Sequence, residues 1–298
     1  MPKNKNIFSV SDNHLKLFLK CKDHTVSRET FSLMLDPNSD MLITFPKPED
    51  SELMKYYESE DYISHTDSKK SILDKVYQIV KNITIRQKVK LINSQAGSDK
   101  SILDIGCGTG DFLYACKNGG WKVKGIEPND KARNLALKKM NSESFLVKDI
   151  QDLLINEKEA YDVITMWHVL EHIPNLDNYI SNLKQLLKPK GTLIIALPNY
   201  KSHDAVYYKT FWAAYDVPRH LWHFSRKSIK YIFKKNYFNV SKIIPMKFDA
   251  FYVSLLSEKY KSGKSNPIQA LYRGLVSNLK ARRTGEYSSL IYFIKNDN

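Results

Sequence analysis

Three glycines within five positions, Gly106, Gly108 and Gly110, follow directly on an apolar run in "SILDIGCGTGDF" (residues 101–112). No other segment restricts the fold as much. A short apolar stretch that ends at glycine reads as a buried strand, and the residues after it as the first turn of a helix. Glycine permits the tight turn and lets a ligand come up against the backbone. Strand, glycine turn and helix together place a nucleotide-type ligand over a helix N-terminus. The G-x-G-x-G spacing differs from the G-x-G-x-x-G of dinucleotide sites, and no lysine follows in P-loop register, so phosphate cradling is not the favoured reading.

The rest of the chain agrees with that start. From Ser101 onward short apolar strands ("SILDI", "WKVKGIE", "SFLVKDI", "YDVITMW", "GTLIIAL") alternate with amphipathic helices such as "NDKARNLALKKM" and "NLDNYISNLKQLLK". Such βα alternation predicts an α/β fold, a Rossmann-like parallel sheet with helices on both faces. Residues 1–69 form a small β-containing module, 70–98 a helical cover, and 99–298 the main domain, with a lid insertion at 200–223.

Two acids sharpen the ligand reading. Asp104 lies inside an otherwise apolar strand, where an unpaired carboxylate would be costly. Glu127 ends the next strand in "GIEP", where a carboxylate can accept hydrogen bonds from both hydroxyls of a ribose.

With these residues in view, the chain resembles the class I S-adenosylmethionine-dependent methyltransferases. "LDIGCGTGDF", "GIEPND", "VKDI", "YDVITMWHVLEHIPN" and "LKPKGTLIIALPN" follow one another in that family's order over residues 101–199. The resemblance implies a seven-stranded sheet whose last strand, "SSLIYFIK", runs antiparallel. It implies S-adenosylmethionine as cofactor and S-adenosylhomocysteine as product. Carried over position by position, Gly106, Gly108 and Gly110, with Cys107 among them, would face the methionine and ribose parts. Asp104 would help hold the amino group, and Glu127, beside Pro128, the ribose diol. Asp149 and Ile150 would meet the adenine, and Trp167 and His168 would lie along the methionine tail.

Methyl transfer to oxygen or carbon generally needs a base. One source is "HVLEH", with His168, Glu171 and His172 spaced to converge on one helical turn. Its H-x-x-E-H form matches a zinc-peptidase pattern, but its place after the fourth strand argues against a peptidase. Some ubiquinone-pathway O-methyltransferases hold a divalent ion here. This chain has His168 where magnesium would favour a carboxylate, so no metal is expected. The second source is the aromatic lid, where "DVPRHLWHFS" resembles a segment of small-molecule methyltransferases and puts Arg219, His220 and His223 near the site.

The N-terminal region resembles a zinc-ribbon-like module that has lost its ligands. Asp36 and Ser39 stand where thiolates would be expected, Cys21 has no near partner, and a tetrahedral site needs four ligands. Tyr56, Tyr57, Tyr62 and His65 follow as residues able to close over the cofactor or acceptor.

Composition bounds the alternatives. Cys21, Cys107 and Cys116 are too few for a disulfide framework. No apolar run is long enough to span a bilayer, no secretory h-region opens the chain, and a cytoplasmic location is expected. The net charge of +14 keeps open an RNA or tRNA methyltransferase, though the basic residues are dispersed. A non-catalytic scaffold on the same fold is the third reading. The favoured one is methyl transfer to a small-molecule or lipid-like acceptor. The methylated atom and the oligomeric state are not specified by the sequence.

Overall fold

The computed structural model describes residues 14–49, 52–57, 72–141 and 145–297. Its first strands, β1 (Lys16–Lys22), β2 (Thr30–Asp36) and β3 (Met41–Phe45), pair antiparallel as a meander. Asp36 and Ser39 hold the β2–β3 turn: the Ser39 hydroxyl donates to Asp36 at 2.5 Å, and the Asn38 N–H donates to the same carboxylate at 3.0 Å. Side-chain hydrogen bonds therefore close this turn. Tyr62 and His65 lie outside the described residues.

Helix α1 (Ile72–Asn93) leads into the main unit, with Ile92 fully buried near its end. Next come β4 (Ser101–Ile105), α2 (Asp111–Asn118), β5 (Lys122–Ile126), α3 (Asp130–Met140), β6 (Leu146–Val147) and the short α4 (Gln151–Leu154). Then follow β7 (Tyr161–Trp167), α5 (Leu176–Leu186) and β8 (Leu187–Pro198). The lid contributes α6 (His203–Tyr208) and β9 (Trp222–His223), and α7 (Arg226–Lys235), β10 (Phe238–Pro245), α8 (Asp249–Ser262), α9 (Pro267–Thr284) and β11 (Ser289–Asn296) complete the chain.

The main sheet has seven strands in the order β10–β11–β8–β7–β4–β5–β6. The joins among β8, β7, β4, β5 and β6 are parallel, and β11 runs antiparallel to both β8 and β10. The segment expected as the antiparallel strand takes that place. Every residue of β4 is buried, because helices cover the sheet on both sides. Ile180, Leu183, Ile229 and Phe233 pack one face, and Ile92, Phe112, Cys116 and Trp121 the other.

One arrangement was not legible in the chain order. β9, from the lid, pairs with β3 and completes a four-stranded sheet β1–β2–β3–β9. Lid rings Tyr208, Trp212 and Tyr215 share a core with Phe31, Leu33 and Leu42 of the meander. Met41 and Trp222 belong to the core of the main sheet. The N-terminal module and the lid thus form one layer that sits on the main sheet.

Candidate active site

The glycine turn leaves β4 with all three glycines at positive φ: 70° at Gly106, 55° at Gly108 and 77° at Gly110. Side chains other than glycine rarely adopt that region. The three differ in what stands opposite. A Cβ on Gly106 would fall 2.5 Å from Val169, and one on Gly110 would fall 2.9 Å from Ala136 of α3. At Gly108 a Cβ would meet nothing within 4 Å among the described residues. Two glycines therefore answer to the protein's own packing, and Gly108 borders open space. The Cys107 side chain packs with Leu113, Ala136 and Leu146, and burial raises its thiol pKa.

Both sequence-predicted acids face this turn. Asp104 pairs in register with Gly125 of β5 on one side and Thr165 of β7 on the other, and the Thr165 hydroxyl donates to it at 2.6 Å. Burial pushes the Asp104 carboxyl up to about 7, against the opposing pull of Thr165 and of the Lys88 charge. Glu127 Oε2 accepts the Gly108 N–H at 2.8 Å, and Oε1 accepts the Asn129 N–H at 2.8 Å. Burial raises the Glu127 pKa despite these two donors. Beside Glu127, the Pro128 carbonyl accepts from Arg133. Asp149 Oδ1 accepts the Gln151 N–H at 2.9 Å at the head of α4, and Ile150 is buried in the main core.

At the end of β7, Trp167 stands edge-on to Phe112, with ring centroids 5.6 Å apart. Its indole Nε1 is buried and has no hydrogen-bond partner among the described residues. Lys88 Nζ lies 4.3 Å from the Trp167 ring, a cation–π distance. Sequence reasoning missed Lys88. The signal was its place in α1 on the Ile85, Val89, Ile92 stripe, where a charged residue is out of pattern.

The next residue, His168, has φ 59°, a strained conformation for a non-glycine residue. Its Nε2 meets Asp249 of α8 at 3.0 Å, and its Nδ1 meets Glu171 at 3.6 Å. Burial disfavours the charged ring, but Asp249 and then Glu171 outweigh it and raise its pKa to about 10. His168 is therefore an imidazolium at neutral pH. Asp249 carried no sequence signal as its partner.

Behind it Glu171, His172 and His220 bring one ligand atom each within 4.8 Å of one another. His172 Nδ1 lies 3.0 Å from the Arg219 carbonyl and 2.9 Å from the Tyr57 hydroxyl, and His220 Nδ1 lies 2.9 Å from the Ala214 carbonyl. A carbonyl only accepts, so each Nδ1 carries a proton, which leaves Nε2 as the second functional nitrogen of each ring. Burial, with the neighbouring His220 ring, lowers His172 to about 4, which keeps it neutral. Glu171 is 1% exposed, and neither of its oxygens accepts a hydrogen bond among the described residues. Burial works against its charge, yet His168, His220 and His172 hold its pKa below the ordinary value. Ligand atoms of Glu171, His172 and His220 thus converge on one place beside the His168 ring, and a substrate hydroxyl or a cation would complete it.

Arg219 and His223 are engaged in structural contacts. The Arg219 guanidinium donates to both oxygens of Asp216, at 3.0 and 2.6 Å, to Asp23 at 3.2 Å and to the Tyr56 carbonyl at 3.0 Å. His223 Nε2 lies 3.0 Å from the Thr44 hydroxyl, and burial lowers its pKa well below the ordinary value. Both residues tie the lid to the N-terminal sheet.

Comparison with known proteins places these features in context. Residues 62–243, more than half of the chain, match the family described as Methyltransferase domain. A ubiquinone biosynthesis O-methyltransferase of Actinobacillus pleuropneumoniae is 36% identical over 108 residues, which are 34% of this chain and 46% of that protein. One from Coxiella burnetii is 31% identical over 120 residues, 39% of this chain and 50% of that protein. The chain thus spans about half the length of these curated relatives. The crystal structure of magnesium protoporphyrin IX methyltransferase from Synechocystis PCC 6803 with bound SAH superposes with a TM-score of 0.52 at 15% identity. It covers 83% of this chain and 100% of its own, and at that identity the likeness is one of fold.

Proposed function

The chain belongs to the methyltransferase domain family, and from that premise we propose that it transfers a methyl group from S-adenosylmethionine to a hydroxyl oxygen of a small-molecule or lipid-like acceptor. The residues fit such a cofactor. Gly108 borders open space, Glu127 has two lone-pair sites committed and others facing outward, and the buried Trp167 N–H lacks an acceptor. When bound, the cofactor supplies an electrophilic methyl group on a sulfonium.

The chain's own groups do the rest. Glu127 accepts from the ribose hydroxyls, Asp104 in its ionised form faces the amino group, and Asp149 and Ile150 receive the adenine. His220 Nε2 takes the acceptor proton, since the Ala214 carbonyl fixes its tautomer. Asp216, 4.0 Å from that nitrogen, and Glu171 stabilise the imidazolium that forms. His172 stays neutral beside it. His168, already protonated, positions Glu171. Arg219 and His223 hold the lid in register.

One observation carries the reading: Glu171 and His172 from the loop after β7 converge with His220 from the lid, and among the described residues neither Glu171 oxygen accepts a hydrogen bond. Such a set recognises a group that donates and then loses a proton, as a phenol or enol does. The curated relatives, which are ubiquinone biosynthesis O-methyltransferases, agree with it. The test is incubation with methyl-labelled S-adenosylmethionine and matched panels of phenols and amines. Label in an ether product is expected. Label on nitrogen, or in no panel member and no extract of the source cells, would refute the proposal.

A further inference from the structure

Helix α9 is amphipathic the wrong way round for a helix on a protein core. Its inward stripe is Ala270, Gly274, Ser277 and Ala281, all buried. These small residues let α9 lie close on α8, where a Cβ at Gly274 would fall 2.6 Å from Phe251. Its outward stripe is Ile268, Leu271, Tyr272, Leu275 and Leu279, with Ile268 84%, Leu271 63% and Leu275 50% exposed. Spaced i, i+3, i+4, i+7 and i+11, these side chains form one continuous line on the solvent side. Water is a poor partner for such a line, and contiguous apolar surface of this kind marks an interaction site.

The charge around the stripe specifies the partner. Residues 246–285 hold eight Lys and Arg against two acids, Asp249 and Glu258. Both acids turn inward, Asp249 to His168 at 3.0 Å and Glu258 to the Tyr208 hydroxyl at 2.9 Å. The outer face is therefore apolar and cationic. Lys247, Leu275, Leu279 and Arg282 border one shallow depression, so charge and apolar side chains lie in the same patch. Lys264, Lys280 and Arg283 are exposed at its two ends.

We propose that the α8–α9 hairpin docks this face on an anionic lipid bilayer, with the α9 stripe at the acyl boundary and the flanking Lys and Arg among the headgroups. A helix that lies in the interface needs an apolar stripe, a basic flank and no exposed acid, and α9 has all three. A second copy of the chain is a poorer occupant. A twofold pair would set the same patch against itself and bring Lys247, Lys264, Lys280, Arg282 and Arg283 against their counterparts. No helix among the described residues is long and apolar enough to cross a membrane, so the contact is peripheral. Since α8 begins at Asp249, which pairs with His168, one helix connects the docked face to the candidate site.

The test is flotation of the full chain with vesicles of phosphatidylcholine alone and of phosphatidylcholine mixed with phosphatidylglycerol. Flotation is expected with the mixed vesicles and not with the neutral ones, and it should fall as salt rises. The Lys280→Gln and Arg282→Gln changes should each weaken partitioning about fivefold. The pair Leu271→Ser with Leu275→Ser should weaken it at least about tenfold. All four positions are exposed, and an unchanged thermal midpoint verifies folding of each variant. Equal binding to neutral vesicles, no binding to either, or unaltered partitioning of the serine variant overturns the proposal. So does a lipid-free dimer that the serine variant dissociates. None of these readouts depends on methyl transfer.

Discussion

The Glu127 carboxylate holds the backbone N–H of Gly108 at 2.8 Å, which ties the tip of β5 to the one glycine of the turn whose missing side chain faces open space. The same group is assigned to the ribose in the proposed function, where it would act twice, shaping the turn and contacting the ligand. A hydrogen bond to a charged group contributes about 1.5–3 kcal/mol. Glu127→Ala is therefore expected to weaken S-adenosylmethionine binding at least about tenfold in calorimetry. Glu127→Gln, which keeps one carbonyl acceptor, should fall between. An unchanged dissociation constant in the alanine variant would remove Glu127 from that role.

Asp104 predicts a pH dependence. Its carboxyl is raised to about 7 by burial, so it ionises only near neutrality in the free protein. Holding a cofactor ammonium requires the ionised form. Affinity should fall about fivefold from pH 7 to 6 and about tenfold for each further unit, with net proton release on binding below pH 7. Calorimetry in buffers of different ionisation enthalpy reads both. Without cofactor the sign concerns the fold. A raised carboxylate pKa gives stability that is complete below the unfolded value and is lost as pH rises through about 7. Asp104→Asn should therefore melt higher than the parent at alkaline pH and show a flat affinity profile. A parent profile as flat as that of the variant would refute the assignment.

The glycine turn, Asp104, Glu127 and the strand succession were legible in the sequence because each follows from local rules of period, turn chemistry or polarity. The seven strands of the main sheet and its antiparallel last strand followed from the resemblance. What could not be read is long-range pairing. β9 is two residues long and joins β3 across Leu42–His223 and Ile43–Trp222; no local pattern encodes such a partner. For the same reason Arg219 resembled a site residue, since its partner Asp23 lies 196 positions away. His168 was legible as a candidate site residue and not as a cation, because Asp249 reaches it from a helix that begins beyond β10.

That pairing sets a stability profile. His168 is raised from 6.5 to about 10 with Asp249 and Glu171 as partners. A histidine with a raised folded pKa contributes stability that is complete below its unfolded value and disappears as pH climbs through the folded one. The melting-temperature gap between the parent and His168→Asn should thus be largest below pH 6.5 and shrink towards pH 10. Asparagine is chosen because it tolerates the positive φ at this position. A gap constant across that window would show that the ion pair does not stabilise the fold.

Arg219 joins Asp216 of the lid to Asp23 of the N-terminal meander, and its side chain is 4% exposed. Removing one partner of a buried pair leaves the other charge uncompensated and costs about 3–5 kcal/mol. Arg219→Met should lose that much in urea denaturation while its affinity for S-adenosylmethionine stays near the parent value. A loss below about 1 kcal/mol, within the range of an exposed pair, would contradict the clamp.

His220 separates binding from chemistry. Its Nδ1 is fixed by the Ala214 carbonyl, so Nε2 is the atom available to the acceptor. Deleting a positioned base lowers turnover by about 10²–10⁴-fold. No contact joins the ring to Glu127, Asp104 or the glycine turn among the described residues. His220→Ala is therefore expected to cut kcat within that range and leave the cofactor dissociation constant unchanged. A structural histidine would lower stability and leave kcat in place. Full turnover in the variant would transfer the proton to His172, whose pKa of about 4 predicts an acidic limb of the kcat/KM profile near that pH.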